Sequence, residues 1–445
     1  MNLRTQFAEN LAVVFLSADW TAEALEAAAL GLLGRDRAPK WLGQLVAEIL
    51  EKSATPYPPS PGTLKRLIRD SAALNRLRPS TLQVESAVIL PPRFAPLPAF
   101  AGLGLPELST LGALADWIGL PVAQLAWFAD VEGYRSAGRR EATRHYVYRW
   151  LPKASGPPRL LEAPKPILKR IQRQILKEIL DPVPLHEAAH GFRKGRSCVT
   201  AAQRHAGEAV VLSLDIRDFF HSIPARSVHG LFRSLGYPWA VARYLTGLCS
   251  TVTPGWLFEA PEPIEHPVPQ SQALLRGRHL PQGAPTSPAL ANLCVWRLDC
   301  RLQGLARALE ARYTRYADDL AFSGDRDFAR RIDSLLPSIA RICGEQGFAL
   351  HPGKTRIMRR GGRQWLTGLV INQHINLPRE GFDRLKATLH NCLRHGPAGQ
   401  NRENHPDFRA HLDGRITWLE TVNPRKGHRL RLLFQQIDWP PPAAG

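Results

Sequence analysis

The chain has 445 residues, 44% of them hydrophobic, which is enough for two to four domains of roughly 100–200 residues with a sizeable core. Lys and Arg total 58 against 39 Asp and Glu, so the formal net charge is +19 and a polyanionic partner is favoured over a merely soluble basic protein. No run reaches the roughly 18 apolar residues of a membrane span, and the 6 cysteines form no C-x-x-C pair, so we expect a cytoplasmic protein without a membrane partner, zinc site or redox motif.

The first hundred residues are predicted to form helices. Thr21 can cap a helix that ends at Gly34, and Thr63 can cap another. Prolines are frequent from residue 91 to residue 106, which is typical of a linker. Residues 1–105 are therefore predicted to be a helical N-terminal extension with a proline-rich linker, and no further role is predicted for them.

An amphipathic helix with a basic stripe is predicted from Ile167 to Leu180. Its isoleucines share one face, whereas Lys169, Arg173 and Lys177 recur every four residues on another. Such a stripe can follow a nucleic-acid backbone, although a solvated helix face explains the same spacing equally well.

Two segments about a hundred residues apart carry the acids that predict catalysis. The apolar run 209–214 predicts a buried strand that ends at Asp215, and the aromatic and aliphatic residues on both sides of Asp318 and Asp319 predict a hairpin with these acids at its turn. Adjacent carboxylates repel each other unless a cation lies between them, and Mg²⁺ prefers oxygen ligands. Two such ions can activate a 3′-hydroxyl and stabilise a leaving pyrophosphate, so the acids suit nucleotidyl transfer. A solvated turn, the alternative for an isolated acidic pair, would have polar flanks.

The segment Tyr-Ala-Asp-Asp at 316–319 resembles the Tyr-x-Asp-Asp motif of the reverse transcriptases. The resemblance extends to residues 214–220, and it implies that Asp215 and the two acids of the motif are the catalytic metal ligands, with Ile216 as a further metal contact. Two Mg²⁺ ions are implied, with Mn²⁺ as an alternative. Phe220 occupies the position of the aromatic residue that excludes a ribose 2′-hydroxyl, and a core phenylalanine is the other interpretation.

Further motifs of the same family would contact the incoming nucleotide. Residues 280–288 resemble the Gln-Gly-x-x-x-Ser-Pro motif, in which Gln282 would contact the nucleotide. A turn between two finger strands carries Lys153 and Arg159, which would hold the phosphates. Lys354 lies in the next palm motif, where it would neutralise triphosphate charge or protonate pyrophosphate, and a solvated lysine is an equally good interpretation.

Three segments resemble retron reverse transcriptases in particular. They are Gly-Phe-Arg-Lys-Gly-Arg-Ser at 191–197, Leu-Thr-Gly at 366–368 and the C-terminal region around Trp418. The second is an altered form of a Val-Thr-Gly hallmark, in a hairpin that grips the primer. Ala201 stands where retron enzymes usually have Asn, which weakens a retron-specific role for that element. Besides the basic stripe, the implied nucleic-acid contacts are Arg193, Lys194, Arg196, Thr367, Gly368, Arg425 and Lys426.

The resemblance implies an α+β, right-hand polymerase fold. Fingers with N-terminal helices are expected at 106–208, a palm with an antiparallel sheet and helices at 209–374, and a helical thumb with the C-terminal tail at 375–445. The implied activity is that of an RNA-directed DNA polymerase. It would use deoxynucleotides to copy a structured noncoding RNA, primed from a 2′-hydroxyl of that RNA, into RNA-linked DNA. A retron role further implies anti-phage defence with a separate effector protein.

Other interpretations stay open at this point. A group II intron enzyme would need a maturase domain after the thumb, and only about seventy residues follow Asn372. A diversity-generating enzyme is disfavoured by the ordinary form of residues 282–288, whereas another abortive-infection reverse transcriptase is compatible with Ala201. A catalytically silent RNA-binding scaffold, which is a different class of protein, would be favoured by loss of a metal carboxylate, and all three are present.

Overall fold

The computed structural model describes residues 3–18, 20–53, 59, 61–78, 81–82, 92–131, 133, 141–152, 158–259 and 269–439. They fall into two compact units, the first within Met1–Pro184 and Ile223–Leu290 and the second within Leu185–Ser222 and Ala291–Gly445. The α-helices are, in chain order, α1 (Leu3–Ser17), α2 (Ala22–Leu33), α3 (Lys40–Ser53), α4 (Pro61–Arg69), α5 (Ala72–Asn75), α6 (Leu111–Ile118), α7 (Val122–Ala129), α8 (Pro166–Ile175), α9 (Cys198–Gln203), α10 (Ala225–Ser234), α11 (Trp239–Cys249), α12 (Pro269–Arg276), α13 (Ser287–Cys294), α14 (Trp296–Ala308), α15 (Arg326–Glu345), α16 (Arg379–His395), α17 (Phe408–Val422) and α18 (Pro424–Gln435). The strands are β1 (Tyr146–Leu151), β2 (Arg159–Pro164), β3 (Val210–Asp215), β4 (Arg312–Tyr316), β5 (Asp319–Gly324), β6 (Arg356–Arg359), β7 (Trp365–Leu366) and β8 (Leu369–Val370).

Helices α1 to α5 pack around a hydrophobic core of their own. Phe7, Phe15, Leu25, Leu42 and Ile49 are each at most 1% exposed within it. Each large apolar side chain that is removed from water in this way stabilises the fold by roughly 1.5–3 kcal/mol. The helical structure predicted for this region is confirmed.

Two helix caps were predicted in this region, and the structure contains one of them. Thr21 caps α2 by accepting a hydrogen bond from the Ala24 amide, and Gly34 ends the helix with a left-handed φ of 58°, as predicted. The prediction that Thr63 caps a helix is wrong, because α4 begins at Pro61 and Thr63 lies inside its first turn. Proline is favoured at the first helical position, where its missing amide would have no helical partner.

Part of the predicted linker is hydrogen-bonded to the last residue of α10 and to the segment that follows it. The Ala95 amide donates to the Gly236 carbonyl at 2.9 Å, and the Leu97 amide donates to the Ser234 carbonyl at 3.1 Å. Gly236 has a φ of 103°, and a Cβ there would lie 2.4 Å from the Pro96 nitrogen, so the close approach of the two backbones requires glycine.

The first unit also contains the antiparallel pair of β1 and β2, on either side of the predicted finger turn. The helix predicted from Ile167 to Leu180 is present as α8 followed by a π-helical stretch, Leu176–Leu180. None of the helices in the described ranges is by itself long and apolar enough to cross a membrane; α6 and α7 meet that test only as a pair, with an 89° bend between them.

The second unit is built on a four-stranded antiparallel sheet in the order β4-β5-β3-β6. The apolar run in β3 is buried because α14 and α15 pack on the sheet, as the contacts of α14 with β4 and of α15 with β3 and β5 show. Asp325 caps α15 by accepting hydrogen bonds from the Asp327 and Phe328 amides, both at 2.9 Å. This antiparallel sheet backed by helices confirms the predicted α+β class.

A short hairpin and three helices complete the second unit. The turn between β7 and β8 consists of Thr367 and Gly368, whose φ values of 48° and 85° are those of a tight hairpin turn with two left-handed residues. Helices α16, α17 and α18 share a core that includes Leu389, Ile416 and Leu430. The predicted helical C-terminal region is confirmed.

Candidate active site

Three carboxylates meet at one end of the four-stranded sheet. Asp215, the last residue of β3, is paired across the sheet with Asp319, the first residue of β5. Asp318 lies in the turn just before it, and its carbonyl accepts a hydrogen bond from the Ile216 amide at 2.9 Å. The His351 amide donates to the Asp215 carbonyl at 2.8 Å and holds the end of β3 from the other side. The convergence of acids that are about a hundred residues apart in the chain is therefore present.

The acids line a cavity of about 730 Å³. Its wall also includes Tyr316, Lys354, Arg356, Cys198 and the hairpin residues Trp365 to Gly368. The Lys354 ammonium lies 2.8 Å from Asp215 Oδ2, and the lysine side chain remains 56% exposed. The cavity therefore contains three carboxylates and, beside them, a lysine ammonium group that is still accessible to a bound group.

Burial and repulsion between the acids both disfavour the ionised form of Asp319 in this cavity. Burial raises the pKa of Asp319 to about 7, and the charges of Asp318 and Asp215 add to this effect, whereas Lys354 opposes it. A carboxyl group whose pKa is raised in this way gains most from a bound cation, which would favour its ionised form. The donor set consists of hard oxygen atoms, as Mg²⁺ or Mn²⁺ requires.

A second polar cluster lies directly behind the acidic turn and is completely buried. The Arg315 guanidinium pairs with both carboxylate oxygens of Asp299, at 2.9 and 2.6 Å, and donates to Asn292 Oδ1 at 2.8 Å. It also donates to the Ala317 carbonyl at 3.2 Å, and the Tyr313 hydroxyl donates to Asp299 at 2.8 Å. Since Ala317 precedes Asp318 and has a left-handed φ of 56°, Arg315 fastens the strained turn that carries the acids.

The segment before α9 is held against the same turn. The His190 amide donates to the Arg315 carbonyl at 2.8 Å, and Asn292 Nδ2 donates to the Gly191 carbonyl at 2.9 Å. A Cβ on Gly191 would lie 2.7 Å from the Ala317 nitrogen, so the contact requires glycine. These contacts fix the position of the next residue, Phe192, relative to the acids.

Phe192 is a residue of this site that the sequence motifs did not single out. Its side chain is 48% exposed and its φ is 55°. The ring centroid lies 6.1 Å from that of Phe220 and 6.5 Å from that of Tyr316, which lines the acidic cavity, so the three aromatic rings form a cluster next to this cavity. Phe220 is only partly buried and also contacts the buried ring of Phe219 at 5.6 Å, which fits an exposed role for Phe220 better than a core one. The signal available in the sequence was the aromatic residue within the 191–197 motif.

The nucleic-acid contacts predicted in the second unit differ in their exposure and in the hydrogen bonds that they make within the protein. Lys194 and Arg425 are exposed, whereas Arg193 donates to the His186 carbonyl at 3.0 Å and Arg196 bonds His190 Nε2 at 3.1 Å. Lys426 donates to Asn376 Oδ1 at 3.3 Å and lies 4.9 Å from the ring of Phe382. The hairpin residues Thr367 and Gly368 line the acidic cavity. Trp418 is 39% exposed, so it is not a core residue.

Two further observations concern α9 and the residues after it. His205 is buried and bonds Ser323 Oγ and Thr314 Oγ1, both at 2.7 Å, so it is a satisfied core histidine. Burial lowers its pKa to about 3, and the neutral ring links the end of α9 to strands β4 and β5. Ala201 is buried on α9, where a larger polar side chain would need partners.

Two of the nucleotide contacts predicted in the first unit, Arg159 and Gln282, lie on or beside strand β2. The Gln282 carbonyl accepts a hydrogen bond from the Glu162 amide at 2.8 Å, and Gly283, with a φ of 130°, lies against the same strand. Glu162 and His279 form a buried ion pair at 2.9 Å; burial alone would lower the pKa of His279, but the charge of Glu162 overcomes it and raises this pKa. This buried pair stabilises the strand to which the Gln282 loop is bonded.

The basic residues predicted in the first unit reach solvent where the structure describes them. Arg159 is exposed at the start of β2. Lys169 and Arg173 are exposed on α8, and Lys177 is exposed on the π-helical stretch that follows. Lys153 lies outside the described residues. The basic stripe is therefore available for contact with a polyanion.

Comparisons with known proteins identify the class. The family model described as "Reverse transcriptase (RNA-dependent DNA polymerase)" matches residues 151–385. The chain is 39% identical to the retron Mx65 reverse transcriptase of Myxococcus xanthus over 86% of this chain and 84% of that protein. It is 36% identical to the retron Mx162 reverse transcriptase of the same organism, over 75% and 68% of the two chains, and 31% identical to the Escherichia coli retron Ec86 reverse transcriptase, over 63% and 77%.

The chain therefore belongs to the reverse transcriptase family, and the expected polymerase fold is that of this family. Within the family it is of the bacterial retron type, and it is an enzyme, an RNA-directed DNA polymerase. These relatives do not favour three of the interpretations that the sequence left open, namely a group II intron enzyme, a diversity-generating enzyme and a catalytically silent scaffold.

Proposed function

We propose that this enzyme copies a structured noncoding RNA of its retron into single-stranded DNA that stays covalently linked to the RNA. Synthesis would start from a 2′-hydroxyl of that RNA and proceed by two-metal nucleotidyl transfer. The observation that supports this proposal most directly is the convergence of Asp215, Asp318 and Asp319 on one cavity of a retron-type polymerase.

The metal ligands in this proposal are the three carboxylates together with Ile216, which can offer only its carbonyl oxygen. Burial and mutual repulsion, which raise the pKa of Asp319 to about 7, are the features expected of a site that is completed by cations. Bound Mg²⁺, or Mn²⁺ in its place, would supply activation of the primer 3′-hydroxyl and stabilisation of the departing pyrophosphate.

The remaining roles follow from where the side chains lie. Lys354, beside Asp215 and largely exposed, would bind the triphosphate or protonate pyrophosphate. Phe220 would exclude a ribose 2′-hydroxyl, and the neighbouring ring of Phe192 limits the space into which it can move. The turn Thr367–Gly368 would hold the primer strand at the cavity.

The other assigned residues complete the proposal. Nucleotide contacts are assigned to Lys153, Arg159 and Gln282. Template and primer contacts, which the net charge of +19 favours, are assigned to Lys169, Arg173, Lys177, Arg193, Lys194, Arg196, Arg425 and Lys426. Membership of the retron type supports a cytoplasmic role in anti-phage defence with a separate effector protein.

The test is to purify the full-length protein from its host strain and to sequence the nucleic acid that accompanies it. Wild type should carry a fixed-length DNA joined to RNA through a branch, and it should extend a primer on an RNA template with Mg²⁺. Asp318→Asn should carry the RNA without DNA and lose extension at least about 100-fold. Asp333→Asn, an exposed acid on α15, is the matched control and should behave as wild type.

The outcomes separate the parts of the proposal. Full extension by Asp318→Asn would refute the assignment of the acids. Extension by wild type without any branched DNA would leave the polymerase chemistry in place and reject the retron product.

A further inference from the structure

A pocket in the second unit, away from the acidic cavity, lies between α16, α17 and the residues that connect them. It has a volume of about 370 Å³, and the side chains that define it here are Arg384, Arg402, His405, Phe408, His411 and Arg415. This volume is at the lower end of the roughly 300–1,000 Å³ that is typical of small-ligand sites. It could therefore hold one nucleotide but not a stretch of duplex.

The pocket is strongly basic. Three arginines, Arg384, Arg402 and Arg415, line it against a single acidic residue, Glu403. The pKa of His411 is lowered, first by burial and then by the neighbouring His405 and Arg415. Guanidinium groups bind phosphate oxygens through paired hydrogen bonds, so this charge favours an anionic, phosphate-bearing ligand.

The rings in the pocket are nearly parallel. The centroids of His405 and His411 are 3.7 Å apart with a 15° angle between the planes, and Phe408 lies 6.5 Å from His411 at 11°. All three side chains are partly exposed. Partly exposed, nearly parallel rings next to arginines can stack with unpaired nucleobases, as aromatic side chains do in RNA-binding proteins.

The loop that carries His405 is fixed before any ligand binds. Asn401 Nδ2 donates to the His405 carbonyl at 2.9 Å, and the His405 amide donates back to Asn401 Oδ1 at 2.8 Å. His405 Nε2 also bonds Glu403 Oε2 at 3.2 Å, which places the acid beside the ring. A preformed site loses less conformational entropy when it binds its ligand.

We propose that this pocket binds one unpaired nucleotide of the retron RNA, with the base stacked on the His405–His411–Phe408 rings and a phosphate held by the arginines. The inference rests on the proposed function, since it takes the ligand to belong to the RNA that the enzyme copies. It adds a recognition site that reads an RNA structural feature, a bulged or terminal nucleotide, outside the catalytic cavity. An acidic peptide would use the charge of the pocket but not its rings, and for that reason nucleic acid is the better match.

The experiment compares two fluorescent RNA hairpins that differ by a single bulged nucleotide. The dissociation constant of the full-length protein is measured for the fully paired hairpin and for four versions that carry each base in the bulge, all at one salt concentration. Wild type should bind bulged hairpins at least about tenfold more tightly, whatever the base, because every base has a stacking face. His411→Ala and Arg415→Gln should reduce this preference to about twofold or less, whereas His411→Phe, which keeps a ring, should retain it.

Controls make the outcome decisive. Arg394→Gln removes an exposed arginine of α16 outside the pocket and should leave the preference unchanged. Thermal unfolding checks that His411→Ala and Arg415→Gln are folded, and primer extension on an RNA template is measured with each protein.

Equal binding of bulged and paired hairpins by wild type, or a preference that survives both pocket variants, would overturn the inference. Competition by a polyglutamate peptide but not by bulged RNA would assign the pocket to a protein partner instead. Wild type that extends primers without a bulge preference rejects only the pocket, whereas loss of extension in wild type rejects the proposed function itself.

Discussion

The β4–β5 turn separates two clusters that use the same kinds of residue in opposite ways. On the buried side, every charge has a partner: Arg315 pairs with Asp299 and is bonded to Asn292 as well. On the cavity side, burial and the charges of Asp318 and Asp215 raise the pKa of Asp319, and Lys354 opposes this shift. The comparison shows that the fully hydrogen-bonded cluster holds the turn that carries the acids, although the ionised acids on the cavity side are electrostatically unfavourable.

The two clusters are physically joined at Ala317. Its left-handed backbone, with a φ of 56°, costs on the order of 1 kcal/mol for a residue with a side chain. The bond from Arg315 to its carbonyl offsets that strain and ties the acidic turn to a rigid support. Damage to the buried cluster should therefore lower stability, whereas damage to the cavity cluster should raise it or leave it unchanged while activity is lost.

The largest effect is expected from Asp299→Ala. It leaves the Arg315 guanidinium buried without its counter-charge, and such a loss costs about 3–5 kcal/mol of the free energy of unfolding. Denaturant unfolding measures it, with Asp333→Ala on the exposed face of α15 as the matched control, which should change stability by less than about 0.5 kcal/mol. A loss for Asp299→Ala as small as that of the control would mean that the buried cluster does not support the turn.

In metal-free protein, Asp319→Asn is expected to increase the free energy of unfolding, whereas Asp299→Ala lowers it. Because the pKa of Asp319 is raised from 3.8 to about 7, the proton stabilises the folded state fully below about pH 3.8, and this stabilisation is lost as the pH rises to about 7. The Asn variant stays neutral throughout, so its advantage over wild type should grow across that range and reach about 1–4 kcal/mol above pH 7. Polymerase activity should be lost at the same time.

The measurement is denaturant unfolding with a chelator at several pH values between about 5 and 8. Asp333→Asn, an exposed acid, serves as the control for a generic charge change. A pH-independent difference between Asp319→Asn and wild type would show that folding does not raise the pKa of Asp319.

Local sequence predicted the cavity cluster well and the buried cluster not at all. The β-branched and aliphatic residues of β3 and the aromatic flanks of Asp318 and Asp319 specify strands by themselves, so the positions of the acids followed from neighbouring residues. Arg315 sits between Thr314 and Tyr316 in a strand whose pattern gives no sign of a buried charge. Its burial depends on Asp299, which lies 16 residues earlier on α14 and meets it only in the folded chain.

The same distinction explains the other differences between expectation and structure. Thr21 acts as a cap because a cap is a local interaction, and this cap was predicted. The start of α4 at Pro61, the exposure of Phe192 beside Phe220, and the pocket around His411 depend on packing between distant segments. Hydrophobic periodicity cannot report such packing, since it describes which face is buried and not what is buried against it.

The smallest change in stability is expected from Lys354→Gln, and it sharpens the comparison because Lys354 belongs to the cavity although it forms an ion pair. Its side chain is 56% exposed, so the bond to Asp215 should contribute less than about 1 kcal/mol to the free energy of unfolding. Primer extension should nevertheless fall roughly tenfold or more, since the ammonium group that the proposal assigns to the triphosphate is removed. Lys52→Gln is the matched control, because Lys52 also forms an exposed ion pair, with Glu48 at 2.6 Å, and has no place in the proposed chemistry. Similar small stability changes in both variants, with extension lost only in Lys354→Gln, would place the lysine with the functional acids. Unchanged extension would make it a solvated lysine, the interpretation that the sequence left open, and a loss of several kcal/mol would move it to the structural side of the turn.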